Sequence, residues 1–263
     1  MTTDATRRAA PFWGRSHYLD RMTLGELTVA YLRHHAIVAY LALVAVSAAL
    51  FAWHPAGAVP TVATIALVVI AYPLIWYVLH RWVLHSHWMF RTPLLSGIWK
   101  RIHYDHHRDP NHLEVLFGAL YTTLPTLLLV AAVPGWLIGG TGGAAAGFAT
   151  GLLCTCVYEF FHCIQHLSYK PRVRWLATMK ARHMEHHFHD ETGNFGITNF
   201  AWDRVFGTLY RRVERPAKSP TVFNLGYTDA VAVQYPWVAR RSHPIPARPR
   251  GADRRARPSP DGG

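Results

Sequence analysis

The chain has 263 residues, of which 51% are hydrophobic, 13% aromatic and only 16% charged. Such a composition buries a large apolar surface and excludes a disordered polymer. The formal charge of +12 raises nucleic acid as a partner, but no recognised binding motif accompanies it, so none is expected.

The distribution of charge is more informative than its sum. No Lys, Arg, Asp or Glu occurs from His34 to His80 or from Val115 to Tyr158. About 20 apolar residues at 1.5 Å rise cross a hydrocarbon core, so each block is too long for one crossing. Each is also broken near its middle by turn chemistry, at His54-Pro55-Ala56-Gly57 and at Gly139-Gly140-Thr141-Gly142-Gly143. Two helical hairpins are therefore predicted, with spans over 35–53, 59–79, 116–138 and 144–158. All 27 Lys and Arg lie outside the hairpins and their turns. By the positive-inside rule both termini and the 81–114 connection face the cytoplasm.

Before the first span, residues 1–33 form a cytoplasmic segment with no apolar signal core; Thr23 to Arg33 reads as a short amphipathic helix lying on the membrane surface. A membrane-embedded domain follows over 34–215. The 216–263 extension is basic and, from about residue 240, rich in Arg and Pro, which predicts a disordered tail. Cys154, Cys156 and Cys163 cluster at the end of the fourth span and are read as small apolar residues rather than disulfide partners. The 23 Arg against 4 Lys suggest a GC-rich bacterial genome and hence a plasma membrane, or the endoplasmic reticulum if the source is eukaryotic.

Ten of the 18 histidines fall into four groups: His80/His85, His103/His106/His107, His162/His166 and His183/His186/His187. The order repeats, each hairpin ending in a pair followed by H-x-x-H-H. Two copies of one unit enclosing a shared site are expected. Positions three and four apart return to one helix face, so His162 faces with His166, and each triplet presents several imidazoles to a common point. His80 and His85 are about 140° apart on an ideal helix, so binding by both requires a helix end or a distortion between them. Clustered imidazoles without ligands would carry a desolvation cost, whereas coordination uses their neutral form. Ten ligands exceed the four to six that one ion accepts, which implies two metals, and imidazole alone permits Zn, Cu, Fe or Ni.

Neither helical zinc-protease motif is present. A metal transporter is the alternative from another class, but it should place ligands near the bilayer midplane along a path, and here the groups all fall at one face. Asp105 and Glu185 precede the paired histidines and should point away from the metals, into ion pairs with Arg101 or Arg108 and with Arg182. Glu159, one turn before His162, is expected to support that ligand as an outer carboxylate. His87, His112 and His189 flank the motifs without completing their spacings and are read as interfacial polar residues.

Leu79-His80-Arg81-Trp82-Val83-Leu84-His85, His103-Tyr104-Asp105-His106-His107, Glu159-Phe160-Phe161-His162 through His166, and His183-Met184-Glu185-His186-His187 resemble the fatty acid hydroxylase superfamily, which includes the sterol desaturases. The resemblance continues through Asn194-Phe195-Gly196 and Trp202-Asp203-Arg204-Val205-Phe206-Gly207-Thr208. Within it, the His80–His85 and Met179–His183 stretches look most similar to the fatty acid and sphingolipid hydroxylase branch. The resemblance implies an all-α integral membrane enzyme whose cytoplasmic helical cap holds two irons on the ten histidines; zinc could replace them in purified protein. It would use O₂ to hydroxylate a lipid C–H bond, with desaturation as the alternative outcome. A fused cytochrome b5 domain is not expected, because only 33 residues precede the first span and His54-Pro55-Ala56-Gly57, superficially like a heme-domain motif, is the turn between two spans. A separate electron donor (a ferredoxin, a cytochrome b5 or a reductase) is implied.

Overall fold

The computed structural model describes residues 17–242, and those residues are mostly helical, with one isolated bridge between Tyr18 and His112 and no strand. Helix α1 (Leu24–Arg33) starts at a capping box in which Thr23 and Glu26 exchange side-chain and backbone hydrogen bonds. It buries Leu27, Ala30 and Tyr31 and leaves Leu24, Val29 and Leu32 exposed. The expected amphipathic helix is therefore present, and Tyr31 donates its hydroxyl to the Cys156 carbonyl.

Helices α2 (His35–Trp53) and α3 (Ala58–Val78) form the first hairpin. Only 22% of the apolar window of each is buried in protein. A helix that is apolar all round yet exposed requires an apolar surrounding. Among the described residues, three helical stretches are long and apolar enough to cross a membrane: His35–Trp53, Ala58–Leu84 and Leu113–His166.

The third stretch is folded back on itself. Helix α4 (Leu120–Leu127) passes through a π-helical turn, Leu128–Ala132, into α5 (Val133–His166). Helical geometry fails at Gly139 and Gly140, the latter at φ +60°, a conformation that glycine reaches without penalty. On either side of this break the segments touch backbone to backbone. A Cβ at Gly143 would lie 2.1 Å from the Gly135 carbonyl oxygen, and one at Gly147 would lie 2.3 Å from that of Ala131. The descending half of α5 runs past the expected end at Tyr158 to His166, and so carries the second histidine pair out of the apolar bundle on one continuous rod.

The two turns pack together at one end of the bundle, where Gly142 meets the backbone of His54 and Ala56. The histidines gather at the other end. Helix α6 (Arg174–Phe188) carries the second triplet, and Lys180 donates to the last carbonyls of α5, those of Gln165 and Leu167. Residues 217–242 return as a strap: Leu225, Tyr227 and Val238 pack against Met89, Phe90, Trp99 and Tyr104. Arg240 and Arg241 close a short helix, with the Arg241 guanidinium on Ser96 Oγ. The rest of the tail expected to be disordered lies outside the described residues, as do residues 1–16. Cys154, Cys156 and Cys163 are free thiols.

The glycine-lined hairpin yields a test. Gly143→Val places carbon atoms where the Gly135 carbonyl stands, so it should lower the thermal midpoint of the detergent-solubilised protein by the equivalent of about 2 kcal/mol or more. Gly25→Val, where nothing lies within 4 Å of the added Cβ, should leave the midpoint unchanged or raise it slightly, since valine is the better helix former.

Candidate metal centre

The expected distortion between His80 and His85 is a π-helical turn, Leu79–Leu84, closed by a hydrogen bond from the His85 N–H to the His80 carbonyl at 3.1 Å. An i→i+5 turn brings the fifth residue back under the first. The two Nε2 atoms accordingly lie 3.2 Å apart. A second π turn, Lys100–Tyr104, contains His103. It also corrects the expected partner of Asp105: Lys100, five residues earlier, reaches that carboxylate at 2.7 Å, in place of Arg101 or Arg108. Glu185 pairs with Arg182 as expected, at 3.5 Å, and also accepts from Asn194 Nδ2 and the Arg212 N–H.

All ten predicted histidines converge, in overlapping groups. His106, His162, His166, His183 and His187 place ligand nitrogens within 4.8 Å of one another, as do His80, His85, His103 and His107. His186 forms a third group with His107 and His187, and its ring lies 4.9 and 4.8 Å from those of His80 and His85. Neither triplet points to one place. In each, the first and last histidines share a group with the pair of their own unit, and the middle one crosses to the other unit. The reason is angular: residues four apart differ by about 40° on a helix, whereas the middle one is turned about 100° from the last. Each half of the chain thus contributes to both groups.

The chemistry of this donor set fits metal ions. Nine of the ten imidazoles are buried and His85 is partly so. The Nε2 atoms of His103, His107 and His186, and both ring nitrogens of His187, are buried without a hydrogen-bond partner. Left that way, each would cost about 1–3 kcal/mol. The pairs that do face each other, His106 with His162 at 3.1 Å and His166 with His183 at 2.9 Å, are near the roughly 3.0–3.4 Å separation of two nitrogens bound about 2.1 Å from one ion. Burial first, and then the neighbouring imidazoles, hold His85, His103, His106, His107, His183 and His187 well below the ordinary 6.5, and His186 is pushed down to about 3.

Behind the imidazoles stand backbone groups whose role no motif spacing signals. Phe195, Val222 and Gly193 offer their carbonyls to Nδ1 of His80, His107 and His186 at 2.6, 3.0 and 2.7 Å. Asp203 is fully buried and accepts from the Phe195 and Gly196 N–H groups and from Thr208 Oγ1, fixing that loop. Asn194, at φ +54°, is held by both backbone groups of Tyr210. Glu159 is buried; one oxygen accepts from the Gly118 N–H at 3.0 Å and the other lies 4.0 Å from His162 Nδ1, beyond hydrogen-bond reach. His87, His112 and His189 join none of the groups; His112 pairs with Glu114 at 2.8 Å and His189 bonds the Arg215 carbonyl.

Against the imidazoles lies a cavity of about 220 Å³. Its walls are mainly apolar, including Leu79, Val83, Met89, Ile98, Ile102 and Leu116, with Thr122, Thr123, Thr126 and Glu159 on another side. An apolar pocket ending on convergent polar groups suits a ligand with a hydrocarbon body.

The sequence profile of the fatty acid hydroxylase family matches residues 65–208, which include all ten histidines. The chain belongs to this family. It is 34% identical over 142 residues to the dihydroceramide fatty acyl 2-hydroxylase FAH1 of Arabidopsis thaliana, covering 51% of this chain and 54% of that protein. The fatty acid 2-hydroxylase of Rattus norvegicus is 31% identical over 52% of this chain and 37% of its own length. The ceramide very long chain fatty acid hydroxylase SCS7 of Saccharomyces cerevisiae is 30% identical over 53% and 36%. The matched segment spans between 36% and 60% of the length of these and similar curated relatives. A solved structure described as full-length Scs7p, with only the hydroxylase domain visible, shares the fold at a TM-score of 0.53 and 23% identity, covering 73% of this chain and 68% of that one.

A pH dependence follows. The unfolded chain takes up protons on these rings below about pH 6.5 while the folded, metal-free chain does not, so stability falls as pH drops, by up to about 1.4 kcal/mol per pH unit for each ring. Thermal unfolding of chelator-treated protein should show a lower midpoint at about pH 5 than at about pH 7, and metal reloading should reduce the difference.

Proposed function

We propose that this chain is a membrane-embedded, O₂-dependent di-iron oxidoreductase that hydroxylates the acyl chain of a lipid, a fatty acyl or sphingolipid-like substrate. The observation that carries the reading is the ending of an apolar cavity on two interlocked groups of imidazoles. Iron bound there would supply the O₂ activation that acidic and basic side chains lack. The protein's share is positional. Leu79, Val83, Ile98 and Ile102 exclude water and hold a hydrocarbon chain, while the carbonyls of Phe195, Gly193 and Val222 set the tautomer and direction of three ligands.

In the proposed topology four spans cross the bilayer, with both termini and the histidine end cytoplasmic, as the charge asymmetry favours. A substrate would enter from the bilayer, and electrons from a separate cytosolic carrier of the ferredoxin, cytochrome b5 or reductase kind. One C–H bond, one O₂, two electrons and two protons then yield one C–OH and one water. The Arg-rich composition supports a bacterial plasma membrane. Metal ligands gathered at one end, opposite the two turns, suit an enzyme better than a transport path.

Lipid mass spectrometry of cells with and without the gene tests the reading. A gain of one oxygen on an acyl chain, absent in His107→Ala and His187→Ala cells, is the expected result. A loss of two hydrogens would assign a desaturase instead, and an active His187→Ala enzyme retaining one metal per chain would sink the joint use of both ions.

Glu159 is proposed to position His162, whose outward nitrogen it faces across 4.0 Å. Glu159→Ala should lower turnover together with metal content. Wild-type values of both would remove the role.

A further inference from the structure

The two imidazole groups differ in what stands behind them. Around His80, His107 and His186 the outward Nδ1 atoms donate to main-chain carbonyls, and the loop that supplies two of these is itself locked by Asp203 and Asn194. In the second group, His106, His166 and His183 turn Nε2 toward other ligands. Their outward Nδ1 atoms are buried with no protein partner. The fourth, His162, has only the Glu159 carboxylate, at 4.0 Å.

A second difference is independent of the first. The cavity is lined by His106, His162, His183 and His187 of the second group, but only by His80 and His103 of the first. The second group is therefore the one more open to a bound chain. A tethered metal position and one left open to a ligand differ in how firmly they hold an ion, whatever chemistry the two ions share.

We propose that the two metal positions are unequal: the group of His80, His85, His103, His107 and His186 holds its ion firmly, and the cavity-side group of His106, His162, His166, His183 and His187 releases its ion first. This rests on the metal-binding reading above. Ligand number does not decide the order, since each position has five imidazoles once His186, whose ring lies 4.9 and 4.8 Å from those of His80 and His85, is counted with them. What decides it is the outer hydrogen bond, which raises ligand basicity and fixes ring direction, and whose loss commonly weakens metal binding by about 10–100-fold. The first group has three such bonds and the second has none among the described residues.

The experiment reads metal content rather than turnover. Full-length protein reconstituted with ferrous iron in the absence of O₂ is challenged with graded bipyridine, and iron per chain is measured by elemental analysis. The expected curve falls from two to a plateau at one, with the second ion leaving at a chelator concentration at least about tenfold higher. His162→Ala should hold one ion that resists chelator as the plateau does, and His85→Ala should hold one ion that leaves in the first step. A single step from two to zero in the parent protein, or the reverse order in the variants, overturns the proposal. A chain that takes up no iron and no zinc overturns the metal reading itself, an outcome separate from loss in one step.

Discussion

Everything in this molecule answers to the cost of placing ten imidazoles out of water and within reach of one another. Neutral rings at such spacing satisfy few of their own hydrogen-bonding groups, and protonated rings would repel. Coordination of the proposed ions would resolve both problems by using the inward lone pairs. The surrounding architecture then has one task, which is to hold ring directions against their tendency to turn away. Two π-helical turns, the long helical segment from the glycine break to His166 and a loop pinned by Asp203 all serve it.

The interlocking of the two groups has a structural logic of its own. Because the middle histidine of each triplet crosses to the partner unit, neither half of the chain supplies all five imidazoles around either position. The hairpins must therefore be in register before either set of five is complete. Close backbone approach along Gly135, Gly143 and Gly147, and the seating of one turn upon the other at Gly142, fix that register at the far end of the bundle. Small residues let helices meet at backbone distance, and this suits an apolar surrounding in which burial of side chains offers little driving force.

Much of this was legible in the sequence. The first apolar helix covers the expected residues, and the glycine-rich turn breaks the second apolar block where predicted. The five-residue spacing of His80 and His85 demanded a distortion, and the π turn supplies it. The i, i+3, i+4 triplets were legible as ligands but not as a division of two and one, because helical angles alone do not say where the other half lies. Lys100 as the partner of Asp105 was hidden for a related reason: its five-residue spacing faces together only in a π turn. The carbonyls of Gly193, Phe195 and Val222 were invisible, since any residue type supplies a carbonyl. The continuation of α5 past Tyr158 was missed because a charged residue, Glu159, marks the end of the apolar run without ending the helix.

The strap carries a consequence for how the centre comes into being. Val222 lies 35 positions after the last ligand, His187, and beyond the segment that defines the family, yet its carbonyl holds the ring of His107. During synthesis both hairpins and all ten histidines leave the ribosome before this residue does. Until residue 222 is in place, the His107 ring lacks the carbonyl that holds it and is free to turn. The order of synthesis thus puts this restraint after every histidine it serves.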